Sequence, residues 1–172
     1  MTMPDDVSSP PDALGSREPA DQECLSPERI RRLLTEQPYA VLCTQSQSQP
    51  YASLIAFAAN DDLTTLVFST PVATRKYRLL TECGHVALLI DTRSASSEDM
   101  MGIEAVTVTG HAHVVAAGTE FDRWAGLLTA RHPHLAPFVR AESSALVRVE
   151  VVRYFHVCRF QEVRQWVPAS DS

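Results

Sequence analysis

Residues 39–58, with the sequence YAVLCTQSQSQPYASLIAFA, decide how this chain begins its fold. Two apolar segments, YAVLCT at 39–44 and YASLIAFA at 51–58, flank the polar segment QSQSQP at 45–50. Apolar runs of this length on either side of a short polar turn are typical of two antiparallel strands. The stretch therefore predicts a β-hairpin.

Further strand patterns follow the hairpin. They are TTLVFST at 64–70, HVALLID at 85–91, IEAVTVTGHAHVVAA at 103–117 and SALVRVEVVRYFHVCRFQEVRQWV at 144–167. Gly110 interrupts the β-branched alternation of one of them and predicts a bulge. The last pattern predicts one long strand or two consecutive strands. Six or seven strands joined mostly by short turns favour an antiparallel barrel or sandwich over an alternating βαβ fold.

Short helices are predicted at three places. Ser26, Pro27 and Glu28 supply an N-cap residue, a proline at the first helical position and an acidic first turn, which together begin a helix. A second short helix is predicted over about 73–81. A third opens at Gly118 and carries four apolar side chains on one face: Phe121, Trp124, Leu127 and Leu128. The fold class is therefore mainly β with short helices.

The length of 172 residues suits one domain. Residues 1–24 are rich in Asp, Pro and Ser, which predicts a disordered leader before a single domain at 25–168. The formal net charge of −6 argues against nucleic acid or an anionic membrane as the main partner, since both require a basic surface. The sequence shows no signal-peptide pattern and no run of about 20 apolar residues, so we expect a cytoplasmic protein.

The cysteines form no recognised motif. The four of them, Cys24, Cys43, Cys83 and Cys158, are far apart in sequence and make no CxxC pair. Zinc ribbons and thioredoxin-like redox sites are therefore unsupported, and we expect reduced structural thiols.

The histidines are interpreted as structural or exposed residues. His111 and His113 alternate along one predicted strand without a Cys or carboxylate partner at matching spacing, and we expect ordinary strand residues there. His132 and His134 are expected to be exposed in a loop. His156 is expected to be a core or surface residue, and the alternative is a residue that lines a ligand pocket. No metal site is predicted, and no catalytic residue is identified.

The most informative stretch is FSTPVATRKYR at residues 68–78. Three cations stand at the start of the predicted second helix, where the helix dipole is already positive. An anion would remove this conflict, because backbone N–H groups at a helix start bind phosphate. The side chains that would complete such a cradle are Ser69, Thr70, Thr74, Arg75 and Lys76. The alternative is a solvated helical face, since Lys and Arg are common surface residues.

With these segments in this order, the chain resembles the pyridoxamine 5′-phosphate oxidase-like family of split β-barrels, which bind flavin mononucleotide (FMN). The resemblance covers about residues 28–115 and extends more weakly into the C-terminal strands. The strand end at residues 68–70, followed by Thr-Arg-Lys, is similar to the family's phosphate-binding signature. The resemblance implies an antiparallel, Greek-key-like barrel of six or seven strands with FMN as cofactor.

The resemblance also implies which residues contact FMN. The backbone beside the isoalloxazine ring is expected at Ala52, Ser53, Leu54 and Ile55. Ser69 and Thr70 are expected near the ribityl-phosphate region, and Thr74, Arg75 and Lys76 at the phosphate. The family pattern implies a homodimer with flavin at the subunit interface, and a small-molecule substrate or electron donor as the other partner.

Two departures distinguish the chain from the biosynthetic oxidase of that family. Ala105 stands where that enzyme has a flavin-contacting Gln, and no Arg-x-His-Asp-Arg element occurs near residues 158–166. The resemblance therefore implies an FMN-dependent oxidoreductase with an unknown small-molecule substrate, and not the biosynthetic oxidase. The alternatives are a non-enzymatic flavin carrier or sensor, and a haem-binding or haem-degrading protein. Substrate choice is expected to rest on the loops at 92–103 and 132–144.

Overall fold

The computed structural model describes residues 26–93, 102–158 and 162–169. The predicted leader at 1–24 and most of the loop at 92–103 lie outside this described part. The helices are α1 (Pro27–Glu36), α2 (Arg75–Glu82), α3 (Thr119–Arg131) and α4 (Ala136–Val139), with a 3-10 turn at Pro133–Leu135. The strands are β1 (Tyr39–Ser46), β2 (Gln49–Ala59), β3 (Thr65–Pro71), β4 (His85–Asp91), β5 (Ala105–Val114), β6 (Ser144–Cys158) and β7 (Glu162–Trp166).

The strands form one antiparallel sheet that closes on itself. Its order is β3-β2-β1-β4-β5-β6-β7, and an additional pairing of β3 with β6 completes a barrel of six strands with β7 outside it. Strands β1 to β3 form a meander and β4 returns to lie beside β1, which is the Greek-key arrangement. The prediction of a mainly β, antiparallel split barrel with short helices is confirmed.

The first hairpin has a tighter turn than its polar composition predicts. Strands β1 and β2 pair as far as Ser46 and Gln49, so the turn is reduced to Gln47 and Ser48. Both turn residues have positive φ angles, 50° and 65°. Positive φ at both central positions is the type I′ pattern, whose twist matches that of the flanking strands. The polar residues predicted as turn therefore lie mostly within the strands.

The bulge predicted at Gly110 is confirmed. The register between β5 and β6 shifts between Thr109 and Gly110, and Val152 is the extra residue on β6. A Cβ atom at Gly110 would lie 2.3 Å from the carbonyl oxygen of Glu150. Only glycine allows the two backbones to approach this closely. The C-terminal pattern forms two strands, β6 and β7.

Two apolar clusters stabilise the fold. The larger fills the barrel and is closed at one end by the buried face of α1, where Ile30, Leu33 and Leu34 are nearly inaccessible to solvent. The smaller lies outside the barrel, where Trp124 and Leu128 of α3 pack against the opposite faces of β2, β3 and β6. Ala58, Val67 and Leu146 are the buried strand residues beneath α3. The strands under this helix are therefore buried on both faces.

Two expectations from the sequence are wrong. His132 is buried with 5% of its surface exposed, and its Nε2 atom lies 3.0 Å from the carbonyl oxygen of Phe57. The prolines of the connector fold into the 3-10 turn and α4, and this path places His132 beneath the end of α3. Cys158 is disulfide-bonded and not a reduced thiol, whereas Cys43 and Cys83 are free.

Candidate functional site

Helix α2 is held against the end of β3 by hydroxyl groups. Thr74 is its N-cap and accepts a hydrogen bond from the backbone N–H of Tyr77. The Thr74 hydroxyl donates to the carbonyl of Pro71 over 2.8 Å and lies 3.1 Å from the hydroxyl of buried Thr70. Ser69 donates its hydroxyl to the carbonyl of Ala145. These hydroxyls therefore fix the start of α2.

The predicted cations contact β2 or border an open cavity beside α2. The guanidinium of Arg75 lies 5.1 Å from the ring centroid of Tyr51 on β2. The Lys76 Nζ atom, half-buried, lies 3.3 Å from the carbonyl oxygen of Leu54 and donates a hydrogen bond to it. Arg78 lies one turn after Arg75, and the two arginines line one open cavity of about 550 Å³.

These three residues, Arg75, Lys76 and Arg78, are here called the α2 cation cluster. In the described part of the chain, none of them forms an ion pair with a carboxylate. Burial lowers the pKa of Lys76, because the charged amine loses hydration without a compensating negative charge. A cluster of this kind attracts an anion.

One stretch of β2 next to this cluster has a free edge. Residues 49–56 pair with β1, but β2 pairs with β3 only from Phe57 to Ala59. Within the described residues, the other edge of 50–56 therefore has no partner strand, and we call it the β2 open edge. Lys76 reaches the carbonyl of Leu54 at this edge.

The open edge divides the four predicted backbone contacts into two pairs. In an antiparallel ladder, the N–H and C=O groups of one residue point to the same side and alternate along the strand. Since the Leu54 carbonyl faces the open edge, the backbone groups of Ala52 also face it. Those of Ser53 and Ile55 face β1. Ala52 and Leu54 are thus the residues with backbone groups available to a ligand.

Side chains on β2 follow the same alternation. Ser53 and Ile55 pair with Leu42 and Ala40, whose side chains are in the barrel core. Ile55 is itself buried, and the Ser53 hydroxyl is buried without a hydrogen-bond partner among the described residues. Leu54 points outward with 65% of its surface exposed.

An apolar row crosses the outside of the barrel from Leu54. Register places Leu54 beside Val41, Val41 beside Leu89, Leu89 beside Thr107, and Thr107 beside Phe155. These five residues, here called the outer row, are only partly buried apart from the largely exposed Leu54. The outer row extends from the β2 open edge across five strands.

The structure thus brings the predicted residues of α2, the end of β3 and β2 into one region. Two residues of this region were missed by sequence reasoning. Tyr51 is predicted only as the first residue of a strand, and Arg78 is one of the three cations at the helix start but is not among the residues expected at the phosphate. Arg78 is exposed and borders the same cavity as Arg75. The three-residue spacing of the two arginines on a helix was the available signal.

A second charged cluster lies at the other end of the barrel. Arg29 of α1 donates two hydrogen bonds, of 2.7 and 3.1 Å, to the carboxylate of Glu104. The Nε2 atom of fully buried His156 lies 2.6 Å from the same carboxylate. Burial alone would raise the pKa of Glu104, but these hydrogen bonds and charges lower it to about 2. His156 is therefore a partnered core residue.

Two features that define other classes of protein do not occur in the described residues. No group of three or more His, Cys, Asp and Glu side chains in them is arranged to hold a metal ion. None of their helices is long and apolar enough to cross a membrane.

Similar folds are found among solved structures. A haem-binding protein from Mycobacterium smegmatis superposes with a TM-score of 0.72 at 16% identity, over 81% of this chain and 57% of that one. HutZ, described as a haem storage protein from Vibrio cholerae, gives 0.65 at 14% identity over 83% and 94% of the two chains. An FAD-binding protein from Mesorhizobium loti gives 0.61 at 14% identity over 76% and 92%. These likenesses show the split-barrel fold.

Sequence comparison agrees with the fold. No curated protein sequence matches the chain. The family profile described as pyridoxamine 5′-phosphate oxidase matches residues 26–158, which is most of the chain and includes every strand of the barrel. The chain therefore belongs to the pyridoxamine 5′-phosphate oxidase family.

Proposed function

We propose that this protein binds FMN and acts as a flavin-dependent oxidoreductase on a small molecule. The observation that carries the proposal is the position of the α2 cation cluster beside the β2 open edge. A flavin nucleotide needs a phosphate site and, near it, hydrogen-bonding groups for a planar ring. The two features of this region match those two needs.

The phosphate would be held at the start of α2. Arg75 and Lys76 supply positive charge, and backbone N–H groups at the helix start supply donors. Thr70 and Thr74 already bond to each other and to the backbone, so their role in this proposal is to position the helix start. Ser69 supports the same strand end through its bond to Ala145.

The ring would lie along the β2 open edge. Ala52 and Leu54 offer backbone donors and acceptors there, whereas Ser53 and Ile55 support the strand from the barrel side. The Lys76 ammonium, already at the Leu54 carbonyl, lies between the phosphate region and the ring region. FMN when bound supplies the hydride chemistry, and the protein binds, orients and shields it.

The same region supports a homodimer. The outer row is an apolar surface continuous with the open edge, and Leu54 alone leaves 65% of its surface exposed. A second copy related by a two-fold axis would cover this row and create two equivalent ligand sites. We therefore propose that the protein is a homodimer, and we also propose a cytoplasmic location.

A haem-binding function is the second candidate. It is favoured by two of the similar structures, which are named as a haem-binding and a haem storage protein. The α2 cation cluster, which has no carboxylate partner among the described residues, fits the compact charge of a phosphate and favours flavin. A non-enzymatic flavin carrier shares the same site and differs only in turnover.

The absorption spectrum of the purified full chain tests the cofactor. We expect a flavin spectrum, and acid treatment should release FMN and neither riboflavin nor FAD. A Soret band without flavin would instead support the haem candidate. Steady oxidation of a reduced nicotinamide by the holoprotein separates an enzyme from a carrier.

Sedimentation of dilute protein tests the dimer. Ligand bound across an interface stabilises the assembly by mass action, so added FMN should shift monomer toward dimer. Leu54→Asp should yield monomer that has lost flavin, whereas Val167→Asp, at a similarly exposed position outside the outer row, should not. A monomer that keeps FMN at full affinity would refute the shared site.

A further inference from the structure

A second open cavity, also of about 550 Å³, lies on the outside of the barrel. This size falls in the range of small-molecule sites. Most of its wall residues come from three adjacent strands, among them Cys43 and Gln45 of β1, His85 of β4, and Thr109 and His111 of β5. Val152 of β6 closes one side. The cavity shares no lining residue with the cavity beside the α2 cation cluster.

The bulge in β6 gives this cavity its shape. Val152 is the unpaired residue at the register shift, and 44% of its surface is exposed at the cavity wall. Gly110 keeps the bulge in place, because any side chain there would collide with the Glu150 carbonyl. Bulges of this kind redirect a side chain next to a binding site. The course of the backbone through the bulge therefore shapes this cavity.

The polar groups of the cavity include an imidazole pair, an amide and a hydroxyl. The rings of His85 and His111 form an edge-to-face pair with centroids 4.5 Å apart. Gln45 adds an amide and Thr109 a hydroxyl, while Pro50, Val86 and Ala87 add apolar surface. Among the described lining residues there is no Asp, Glu, Lys or Arg.

We propose that this cavity binds an uncharged, flat heteroaromatic ring that bears an amide or carbonyl group. Aromatic rings favour edge-to-face and offset contacts, which the imidazole pair provides. Imidazole, amide and hydroxyl groups both donate and accept hydrogen bonds, so they match a neutral carbonyl or amide. A carboxylate or phosphate would lose its hydration without gaining a lining cation. The inference does not depend on the proposed flavin.

Nicotinamide and nicotinate provide a matched test, because they share a ring and differ in the charge of one substituent. Binding to the full chain as purified is measured by ligand-observed NMR titration in the millimolar range, where a ligand of this size is expected to bind. We expect nicotinamide to bind at least about fivefold more tightly than nicotinate, because the carboxylate is poorly compensated. Equal or tighter binding of nicotinate, or no binding of nicotinamide, would overturn the proposal.

Two variants locate the binding. Val152→Trp fills the cavity and should abolish nicotinamide binding, and His111→Leu should weaken it by about fivefold or more through the lost hydrogen bond. His134→Leu is the matched control, since His134 is exposed in the 3-10 turn and does not line the cavity. Melting curves show whether each variant is folded. Unchanged binding in His111→Leu would overturn the assignment even if Val152→Trp failed to fold.

The nicotinamide titration and the FMN measurement can fail independently of each other. Loss of FMN in a variant of the α2 cation cluster leaves the lining of this cavity unchanged. Conversely, a protein that binds FMN but not nicotinamide would keep the proposed function and refute this cavity as a site.

Discussion

The two charged regions of the barrel differ in how their charges are compensated. Around Glu104, an arginine and a buried histidine both bond to one carboxylate within 3.1 Å. Around α2, Arg75, Lys76 and Arg78 lie together without a carboxylate partner in the described structure. Removing one member of such a paired set destabilises a fold, whereas charges of one sign without a partner among the described residues are available to a ligand.

The comparison also explains why similar residue types have different expected roles. Arg29 is fixed by two hydrogen bonds to Glu104, which keep α1 over the end of the barrel. Within the described residues, the Arg75 guanidinium contacts the ring of Tyr51 and makes no hydrogen bond or ion pair, so its donors are available to an anion. Substitutions in the first region should therefore change stability, and substitutions in the second should change ligand affinity.

The largest effect is expected for Glu104→Ala. Removing the carboxylate leaves fully buried His156 without its bond to Glu104, and the free energy of unfolding should fall by about 3 kcal/mol. Urea unfolding followed by circular dichroism measures it. Asp122→Ala breaks an exposed pair with Arg140 and should cost less than about 1 kcal/mol. Equal losses in the two variants would contradict the expectation that the Glu104 cluster contributes more to stability than the exposed pair of Asp122 and Arg140.

The pH dependence of stability provides a second test of the same cluster. The folded pKa of Glu104 is about 2, below its ordinary value of 4.5, so its contribution is complete above the ordinary value. That contribution is lost as pH falls toward the folded value. Urea unfolding at pH 5 and pH 3 should show a smaller loss of stability in Glu104→Gln than in the natural protein. Equal losses of stability in the two proteins would contradict the assignment of this pH dependence to Glu104.

In the α2 region, Arg75→Ala should weaken FMN binding by roughly 10- to 150-fold, because a charge-assisted hydrogen bond to a buried phosphate contributes a factor of that size to affinity. Arg78→Ala should have a smaller effect, because Arg78 lies a turn further from the helix start. Titration of flavin-free protein, followed by flavin fluorescence, measures both. Equal effects would show that the two arginines share the anion, as their common cavity allows.

The smallest effects are expected at two helix N-caps, which provide a matched pair. Ser26 caps α1 and Thr74 caps α2, and each accepts a hydrogen bond from a backbone N–H of its helix. Ser26→Ala and Thr74→Ala should each cost about 1 kcal/mol of stability in urea unfolding. Thr74→Ala alone should also weaken FMN binding, because it loosens the start of α2. A similar loss of FMN in Ser26→Ala would show that the effect is not local.

Much of the barrel was predictable because strand patterns are local. The run HVALLID at 85–91 coincides with β4, and the interruption at Gly110 coincides with the bulge. The hairpin turn was less predictable, since Gln47 and Ser48 adopt positive φ angles that their residue types rarely adopt. His132 was misjudged because proline-rich connectors are usually exposed, and only the packing of α3 buries it.

The sequence by itself determined the mainly β fold, the helix that begins near Arg75 and the concentration of cations there, because periodicity, capping and charge are read within short segments. Only the tertiary structure decided that Lys76 reaches the carbonyl of Leu54, that β2 has an open edge over 50–56, and that Glu104 joins Arg29 to His156. These contacts join residues 22, 75 and 52 positions apart. They depend on the closure of the barrel, which no local pattern specifies.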